Sequence, residues 1–403
     1  MRVSTGMIFD ASTSAMLDQQ AGVLRTQQQL SAGRRMLVPS DDPIAASQAL
    51  ALRAGESRAQ QYATNQSAAR DTLAMAESRI GSMGDTLIAA RTLLVSAGDA
   101  IQTNSDRAAI ATELRGMVAD LLGLANSQDG QGRYLFAGYQ DGSAPFTQGA
   151  AGIGYVGDQG RRALAVSGAR EIPLPGNGHS IFETGRSGNG VFKSAAGAAN
   201  AGTGIISVGK VYDPTLLTGH TYRIDFTAGP AAPAYSVIDV TAGATLSTGN
   251  AWSSGAAFRF DGVEVSIENA PAAGDRFSIT PSTAQSLFKT LADAIDAVAT
   301  PVGSPADAAR LNTRLGAALT ELDSGTLQVL LARTEIGTSL GEIEGLASAN
   351  EAERVLLAGQ RSRLEDLDYA QATSDLARQQ LALEAAQKTH LRVTGMTLFD
   401  FLT

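Results

Sequence analysis

The feature that most restricts the fold is a heptad repeat of apolar residues in the first quarter of the chain. After a first step of seven, the apolar positions alternate between steps of four and three: Tyr62, Ala69, Leu73, Ala76, Ile80, Met83, Leu87, Ala90 and Leu94. This spacing is typical of a coiled-coil seam. At about 1.5 Å per residue, the segment predicts a helix roughly 50 Å long.

Local signals mark where the helices begin. Asp42 is a predicted N-cap and Pro43 a predicted first helical residue. A second helix is expected after Asn104-Ser105-Asp106, and another opens at Ser304-Pro305. Both flanks of the chain are therefore predicted to form long helices.

The middle of the chain has a different composition. Residues 129–282 hold 26 of the 43 glycines, 8 of the 12 prolines and 15 of the 21 aromatic residues. Alternating apolar runs flank Asp261-Gly262, a strong hairpin signal. The predicted fold class is α+β: a long antiparallel helical, coiled-coil rod formed by both chain ends, with a central all-β excursion domain.

We expect six consecutive segments. They are an N-terminal assembly helix (1–39), the first part of the rod (40–128), a β-hairpin and turn region (129–185), an outward-facing β domain (186–281), the second part of the rod (282–363) and a C-terminal assembly helix (364–403).

Both ends of the chain are amphipathic. In the N-terminal segment a large apolar residue recurs every seven positions from Phe9, but the half-turn partners Thr13, Gln20, Gln27 and Arg34 are polar. A helix with so weak a seam is marginal in water, so alone this end should be frayed. The C-terminal segment carries apolar stripes on two faces, which predicts that it packs against two neighbouring elements.

These apolar faces predict an association surface. Its expected residues are Phe9, Met16, Val23, Leu30 and Leu37 at one end, and Leu364, Leu367, Leu376, Leu381, Leu383, Leu398, Phe399 and Phe401 at the other. When a patch on one copy meets a different patch on the next, the contact generates a ring or an open helical array. Polymerisation is therefore the first functional hypothesis.

The sequence offers little for catalysis. It has no cysteine and only three scattered histidines, so we expect no catalytic, cofactor or metal site. A net charge of −9 argues against a nucleic-acid partner, and no apolar run would cross a membrane or act as a signal peptide. Gly152–Gly157 fits G-x-G-x-x-G, which leaves a dinucleotide-binding enzyme as a remote alternative to a glycine-marked turn.

Several motifs resemble the bacterial flagellin superfamily. They are Met1–Thr5, Leu30–Arg35 leading into Pro39–Pro43, Gly132–Gly138 with Pro145-Phe146, Arg333–Gly337, Asp368–Ala370 and the closing Leu398–Leu402. Pro43-Ile44-Ala45 after the paired acids, and the ending itself, are closer to the superfamily's hook–filament junction branch than to filament flagellins.

The resemblance implies a non-enzymatic structural subunit of the extracellular flagellum. Such a subunit would be exported through the flagellar type III pathway and would serve motility. Its implied partners are copies of itself, hook-associated protein 1, flagellin, and an export chaperone on the C-terminal helix. A filament-type subunit, or a surface adhesin displayed by the β domain, are the alternatives.

Overall fold

The helical flanks predicted from the sequence are present in the computed structural model, which describes residues 5–150, 152–228 and 233–395. The described α-helices are α1 (Thr5–Ala32), α2 (Pro43–Ala97), α3 (Asn104–Ala125), α4 (Leu287–Ala299), α5 (Pro305–Glu365) and α6 (Tyr369–Gly395). The chain divides into two compact units, one from its two ends, up to Asn65 and from Gly345, and one from Gln66 to Glu344. The division into six segments stays a prediction.

Side chains cap the helices where the sequence indicated. The Asp42 carboxylate accepts the N–H of Ala45 at 3.0 Å, and Pro43 is the first residue of α2. Helix α3 already includes Asn104-Ser105-Asp106, which the prediction placed before it, and its cap is Thr103. Its hydroxyl and the Asp106 carboxylate each accept the other residue's backbone N–H, forming a capping box.

The heptad seam is buried as predicted. From Ala69 to Leu94 its members in α2 are at most 1% exposed. Within the Gln66–Glu344 unit, α5 runs antiparallel to α2, because Arg333 pairs with Glu77 at 2.7 Å while Arg91 pairs with Asp323 at 2.8 Å. The predicted pairing of the two helical flanks is therefore confirmed.

Besides two short helical turns, His179–Glu183 and Pro214–Leu216, the described chain between α3 and α4 is built of strands and loops. The strands are β1 (Phe146–Gly149), β2 (Gly152–Tyr155), β3 (Ala163–Ser167), β4 (Arg170–Pro173), β5 (Phe192–Ala196), β6 (Ile205–Ile206), β7 (Lys210–Val211), β8 (Tyr222–Thr227), β9 (Ala234–Asp239), β10 (Ala244–Ala251), β11 (Ala257–Phe260), β12 (Val263–Glu268) and β13 (Arg276–Pro281).

Two antiparallel sheets enclose the core of this region. One has the order β10-β9-β8-β13-β5, and the other joins β11, β12 and β6, with β7 also paired to β12. Their shared core includes Tyr222, Phe226 and Phe277. The predicted hairpin is present, with Phe260 opposite Val263 and positive φ angles at Asp261 (41°) and Gly262 (80°). The central all-β domain is confirmed.

The structure departs from the sequence reading around the glycine-rich motif. Gly152–Tyr155, predicted as part of a glycine-marked turn, forms β2, which pairs with β1. β2 holds the first part of the Gly152–Gly157 motif and is followed by a loop and then by β3, not by a helix. Because a dinucleotide site needs a helix opening from that loop, the cofactor interpretation is wrong. Beside this hairpin, the Phe146 ring lies 5.3 Å from that of Phe288 on α4.

Candidate assembly surface

Helices α1 and α6 pair along the predicted amphipathic ends, within the unit formed by the chain ends. The buried and half-buried positions of α1 include a row with alternating steps of four and three, and Thr13, Gly22 and Gln29 beside this row are half-buried as well. The row is Ser12, Met16, Gln19, Val23, Thr26 and Leu30. Val23 and Thr26 are buried, at 9% and 7% exposure. Three of the predicted residues, Met16, Val23 and Leu30, therefore lie on the intramolecular face of α1.

Helix α6 presents a matching row to α1. Its least exposed positions are Ala372, Leu376, Gln379, Leu383, Ala386 and His390. This row largely coincides with one of the two stripes recognised in the sequence and includes the predicted Leu376 and Leu383. One of the two apolar faces of α6 is thus covered by the chain's own N-terminal helix.

Polar contacts join the two helices at several levels. The Thr26 hydroxyl lies 2.9 Å from the Gln379 side-chain oxygen, and Gln19 donates to the Gln379 main-chain carbonyl at 3.4 Å. Ser12 Oγ and His390 Nδ1 are 2.8 Å apart, and the His390 ring lies 5.0 Å from that of Phe9. The seam between α1 and α6 therefore combines apolar packing with side-chain hydrogen bonds.

Most of the polar half of the α1 seam is one residue away from the predicted positions. The sequence placed it at Thr13, Gln20, Gln27 and Arg34; Thr13 is half-buried together with Ser12, but Gln20, Gln27 and Arg34 are exposed, and Gln19 and Thr26 take the places of Gln20 and Gln27. Both three-residue and four-residue steps bring side chains together on a helix. The direction of approach of α6 decides between them, and one helix sequence does not contain that information.

Gly33 allows the close turn at the end of α1. Its φ is +65°, and an added Cβ would stand 2.9 Å from the Tyr369 hydroxyl oxygen. Two backbone hydrogen bonds join this turn to the segment between α5 and α6. Leu367 N donates to Gly33 O at 3.2 Å, and Arg35 N donates to Glu365 O at 2.8 Å. Any larger residue at position 33 would disturb both the backbone and this contact.

The segment between α1 and α2 is stabilised by Asp41. Its carboxylate accepts the N–H groups of Val38 at 3.1 Å and Leu37 at 2.9 Å, and it pairs with Arg25. These backbone hydrogen bonds, with that of Val38 contributing most, lower the pKa of Asp41. The predicted Leu37 is half-buried there and lines a cleft of about 460 Å³.

The remaining predicted residues fall into three groups. Leu364 and Leu367 are half-buried near the turn between α5 and α6, and Phe9 is about half exposed at the beginning of the pair. Leu381 points away from the α1 seam. Leu398, Phe399 and Phe401 lie outside the described residues.

The outward faces of the pair carry apolar side chains that the sequence reading only partly identified. Leu17 and Leu24 on α1, and Leu381 and Leu391 on α6, are 53–69% exposed. Of these, only Leu381 was predicted. Leu17 and Leu24 were detectable as a second seven-residue repeat directly beside Met16 and Val23. The pair thus exposes an apolar surface that shares Leu381 with the predicted set and adds Leu17, Leu24 and Leu391.

Across residues 5–150, 152–228 and 233–395, no three His, Cys, Asp or Glu side chains are grouped so that they could hold a metal ion. In the same ranges, no helix has the length and apolar character needed to span a bilayer.

Known proteins share both sequence and fold with this chain. Residues 3–141 match the family model of the bacterial flagellin N-terminal helical region. Flagellar hook-associated protein 3 of Salmonella typhimurium is 28% identical over 401 residues, 99% of each chain.

Solved structures agree with the sequence relatives. The crystal structure of FlgL from Xanthomonas campestris is 31% identical, covers 77% of this chain and 98% of its own, and superposes with a TM-score of 0.71. The fold also matches hook-associated protein 3 of Legionella pneumophila, with a TM-score of 0.74 at 24% identity, covering 78% of this chain and 98% of that one. The chain belongs to the flagellar hook-associated protein 3 (FlgL) family, and it is a structural subunit of the bacterial flagellum.

Proposed function

We propose that this subunit polymerises outside the cell through its α1–α6 pair and joins the hook to the filament. Its neighbours are further copies of itself, hook-associated protein 1 on the hook side and flagellin on the filament side, and it catalyses no reaction. The observation that carries the proposal is the exposure of Leu17, Leu24, Leu381 and Leu391 on a helix pair whose own seam is partly polar.

The energetics favour association at this surface. Covering the exposed part of each leucine contributes on the order of 1 kcal/mol, hence about 4 kcal/mol per copy. Helices of this length with mixed seams are only marginally stable by themselves. A neighbour that covers the outward leucines would therefore stabilise the α1–α6 pair and hold the subunit in the layer at the same time.

Before assembly, the same surface needs a temporary cover. An export chaperone that binds α6 over Leu381 and Leu391 would prevent premature association, and it would leave the chain free to pass through the flagellar type III pathway. The absence of cysteine suits that passage, because no thiol is available for oxidation outside the cell.

The test is Leu381→Asp, with Gln387→Asp as the matched control. Both side chains are exposed on α6, and both variants gain one negative charge, but only the first removes an apolar group. Each variant replaces the wild-type gene in cells, and electron microscopy records whether hooks carry filaments.

We expect Leu381→Asp cells to show bare hooks and to release flagellin into the medium, while Gln387→Asp cells keep their filaments. The thermal unfolding of purified Leu381→Asp should match wild type within a few degrees, since the side chain is 69% exposed. Normal filaments on Leu381→Asp hooks would contradict the proposal.

A further inference from the structure

The Gln66–Glu344 unit contains a cleft that takes no part in the α1–α6 pairing. It encloses about 530 Å³ and is lined by β5 and the residues just after it, by α4 and the loop that follows, and by the first turns of α5. Pockets that bind small molecules in proteins have volumes of about 300–1,000 Å³. This space, called the β5–α5 cleft below, is therefore large enough for a small organic ligand.

Short apolar side chains form much of the wall of the cleft. Ala297 on α4 and Ala318 on α5 are 1% and 4% exposed, and both line the space. Strand β5 contributes Ala195 and Ala196, and Ala317 precedes Ala318 on α5. Because a methyl group fills little volume, these positions leave room that longer side chains would occupy. The apolar atoms around that room favour an aliphatic occupant.

The carboxylates that line the cleft are already used inside the chain. Each of the three lies in an ion pair with a basic side chain, so the cleft does not favour a cationic ligand. The pairs are Lys193 with Glu321, Arg310 with Asp307 and Lys289 with Asp293. Glu321 also accepts Gly188 N–H at 2.9 Å, and Asp307 accepts the Ser304 hydroxyl at 2.8 Å.

Arg314 is the one basic group of the cleft that lies outside these pairs. Among the described residues its single hydrogen bond runs from Nη2 to the Asp293 main-chain carbonyl at 3.3 Å. A guanidinium group carries five N–H donors in a planar fork that matches a carboxylate. The four basic groups at the cleft and its rim therefore exceed the three carboxylates by one positive charge, on a chain whose net charge is −9.

Thr313, directly before Arg314 on α5, supplies a second and independent observation. Its side chain lines the cleft and the residue is only 5% exposed. In the part of the chain that the structure describes, its Oγ1 has no hydrogen-bond partner. Buried hydroxyl groups are nearly always hydrogen-bonded. An unpartnered one in the wall of a cleft indicates a polar group that the chain itself does not provide.

We propose that the β5–α5 cleft binds a small organic anion, a carboxylate on an aliphatic body. Arg314 binds the carboxylate with its free N–H groups, and the Thr313 hydroxyl donates to it. Ala317 and Ala318 lie one turn further along α5, so the aliphatic body follows the helix from the charged group into the apolar part of the cleft. The inference does not depend on polymerisation, so it and the proposed function can fail separately.

The test uses octanoate as the probe and the purified full chain as the receptor. Isothermal titration calorimetry measures the affinity, and thermal unfolding checks it through the stabilisation that a bound ligand gives. We expect one octanoate per chain, with a dissociation constant of about 1 mM or lower. Octylammonium has the same aliphatic body and the opposite charge, so it should bind at least about tenfold more weakly.

Three variants locate the binding in the cleft. Arg314→Gln removes the cation, Thr313→Val removes the hydroxyl at nearly constant volume, and Ala317→Leu fills the apolar part. We expect the first and third to weaken octanoate binding at least about tenfold and the second by a smaller factor. Arg363→Gln is the matched control, because it loses the same charge from an exposed position in the last turn of α5 and should bind like wild type.

Several results would overturn the inference. They are no binding of octanoate in either assay, equal binding of octylammonium, and wild-type affinity in both Arg314→Gln and Ala317→Leu, which would place the binding elsewhere. If a core variant unfolds at a lower temperature, Arg314→Gln decides the outcome alone, because its side chain is exposed and its removal leaves the packing intact.

Discussion

Replacing Glu321 by alanine should destabilise the Gln66–Glu344 unit by about 2–4 kcal/mol. Glu321 lies on α5 and is only 5% exposed. Its carboxylate accepts Gly188 N–H at 2.9 Å, Gln285 Nε2–H at 2.8 Å and the Lys193 ammonium at 2.9 Å. Gly188 precedes β5 and Gln285 follows β13. The Glu321 side chain therefore holds both ends of the β5–β13 segment against α5.

The magnitude follows from those three donors. Removing the carboxylate deprives the N–H groups of Gly188 and Gln285 of this acceptor. Each lost hydrogen bond lowers the free energy of unfolding by about 1 kcal/mol. Breaking a fully buried ion pair costs about 3–5 kcal/mol, but the Lys193 side chain is 31% exposed and regains water, so its share is smaller. The sum is about 2–4 kcal/mol.

Urea unfolding followed by circular dichroism measures the effect. Glu321→Gln keeps the volume and one acceptor oxygen, so it should lose only about 1 kcal/mol. Glu335→Ala is the control on the same helix, because its ion pair with Arg161 is exposed and should contribute less than about 1 kcal/mol. If Glu321→Ala were no more destabilising than Glu335→Ala, the reasoning from buried donors would be refuted.

Further predictions concern the pKa of Tyr155, two glycine positions and the polar seam between α1 and α6. Burial raises the pKa of Tyr155 to about 12, so the unfolded chain ionises first and stability should fall as pH rises from 10 to 12; Tyr155→Phe should flatten that loss in alkaline melting curves. Gly262→Ala should lose about 2 kcal/mol or more in urea titration, because φ is +80° and the new Cβ would stand 2.4 Å from a carbonyl oxygen. Gly116→Ala in α3, where the space is open, should instead gain up to about 1 kcal/mol. Thr26→Val combined with Gln379→Leu should make the α1–α6 pair more resistant to limited proteolysis, and unchanged digestion would show that the polar seam does not limit pairing.

Much of the fold was accessible from the sequence because local rules and burial agreed there. The seam from Ala69 to Leu94 is fully buried, Asp42 caps α2, and Asp261-Gly262 forms its hairpin. In each case the signal depends on residues close in sequence, with periodicity or turn chemistry that few other structures satisfy.

The details that escaped prediction depend on distant partners. Strand β2 forms because β1 pairs with it, although its glycines, Gly152 and Gly154, indicate a turn. Similarly, the approach of α6 buries Gln19 and Thr26 rather than the predicted Gln20 and Gln27. Leu17 and Leu24 were not predicted, because Met16 and Val23 directly beside them account for the apolar repeat in the same heptads.

The mixed seam between α1 and α6 has a mechanical consequence. Gln379 already reaches two levels of α1, Thr26 through its side chain and Gln19 through its carbonyl. Gln19 and Thr26 are one heptad apart, so sliding one helix by about 10 Å would exchange one hydrogen-bond partner of Gln379 for another. We therefore expect the α1–α6 pair to tolerate a shift along its axis, so that copies of one chain adjust their length without unfolding.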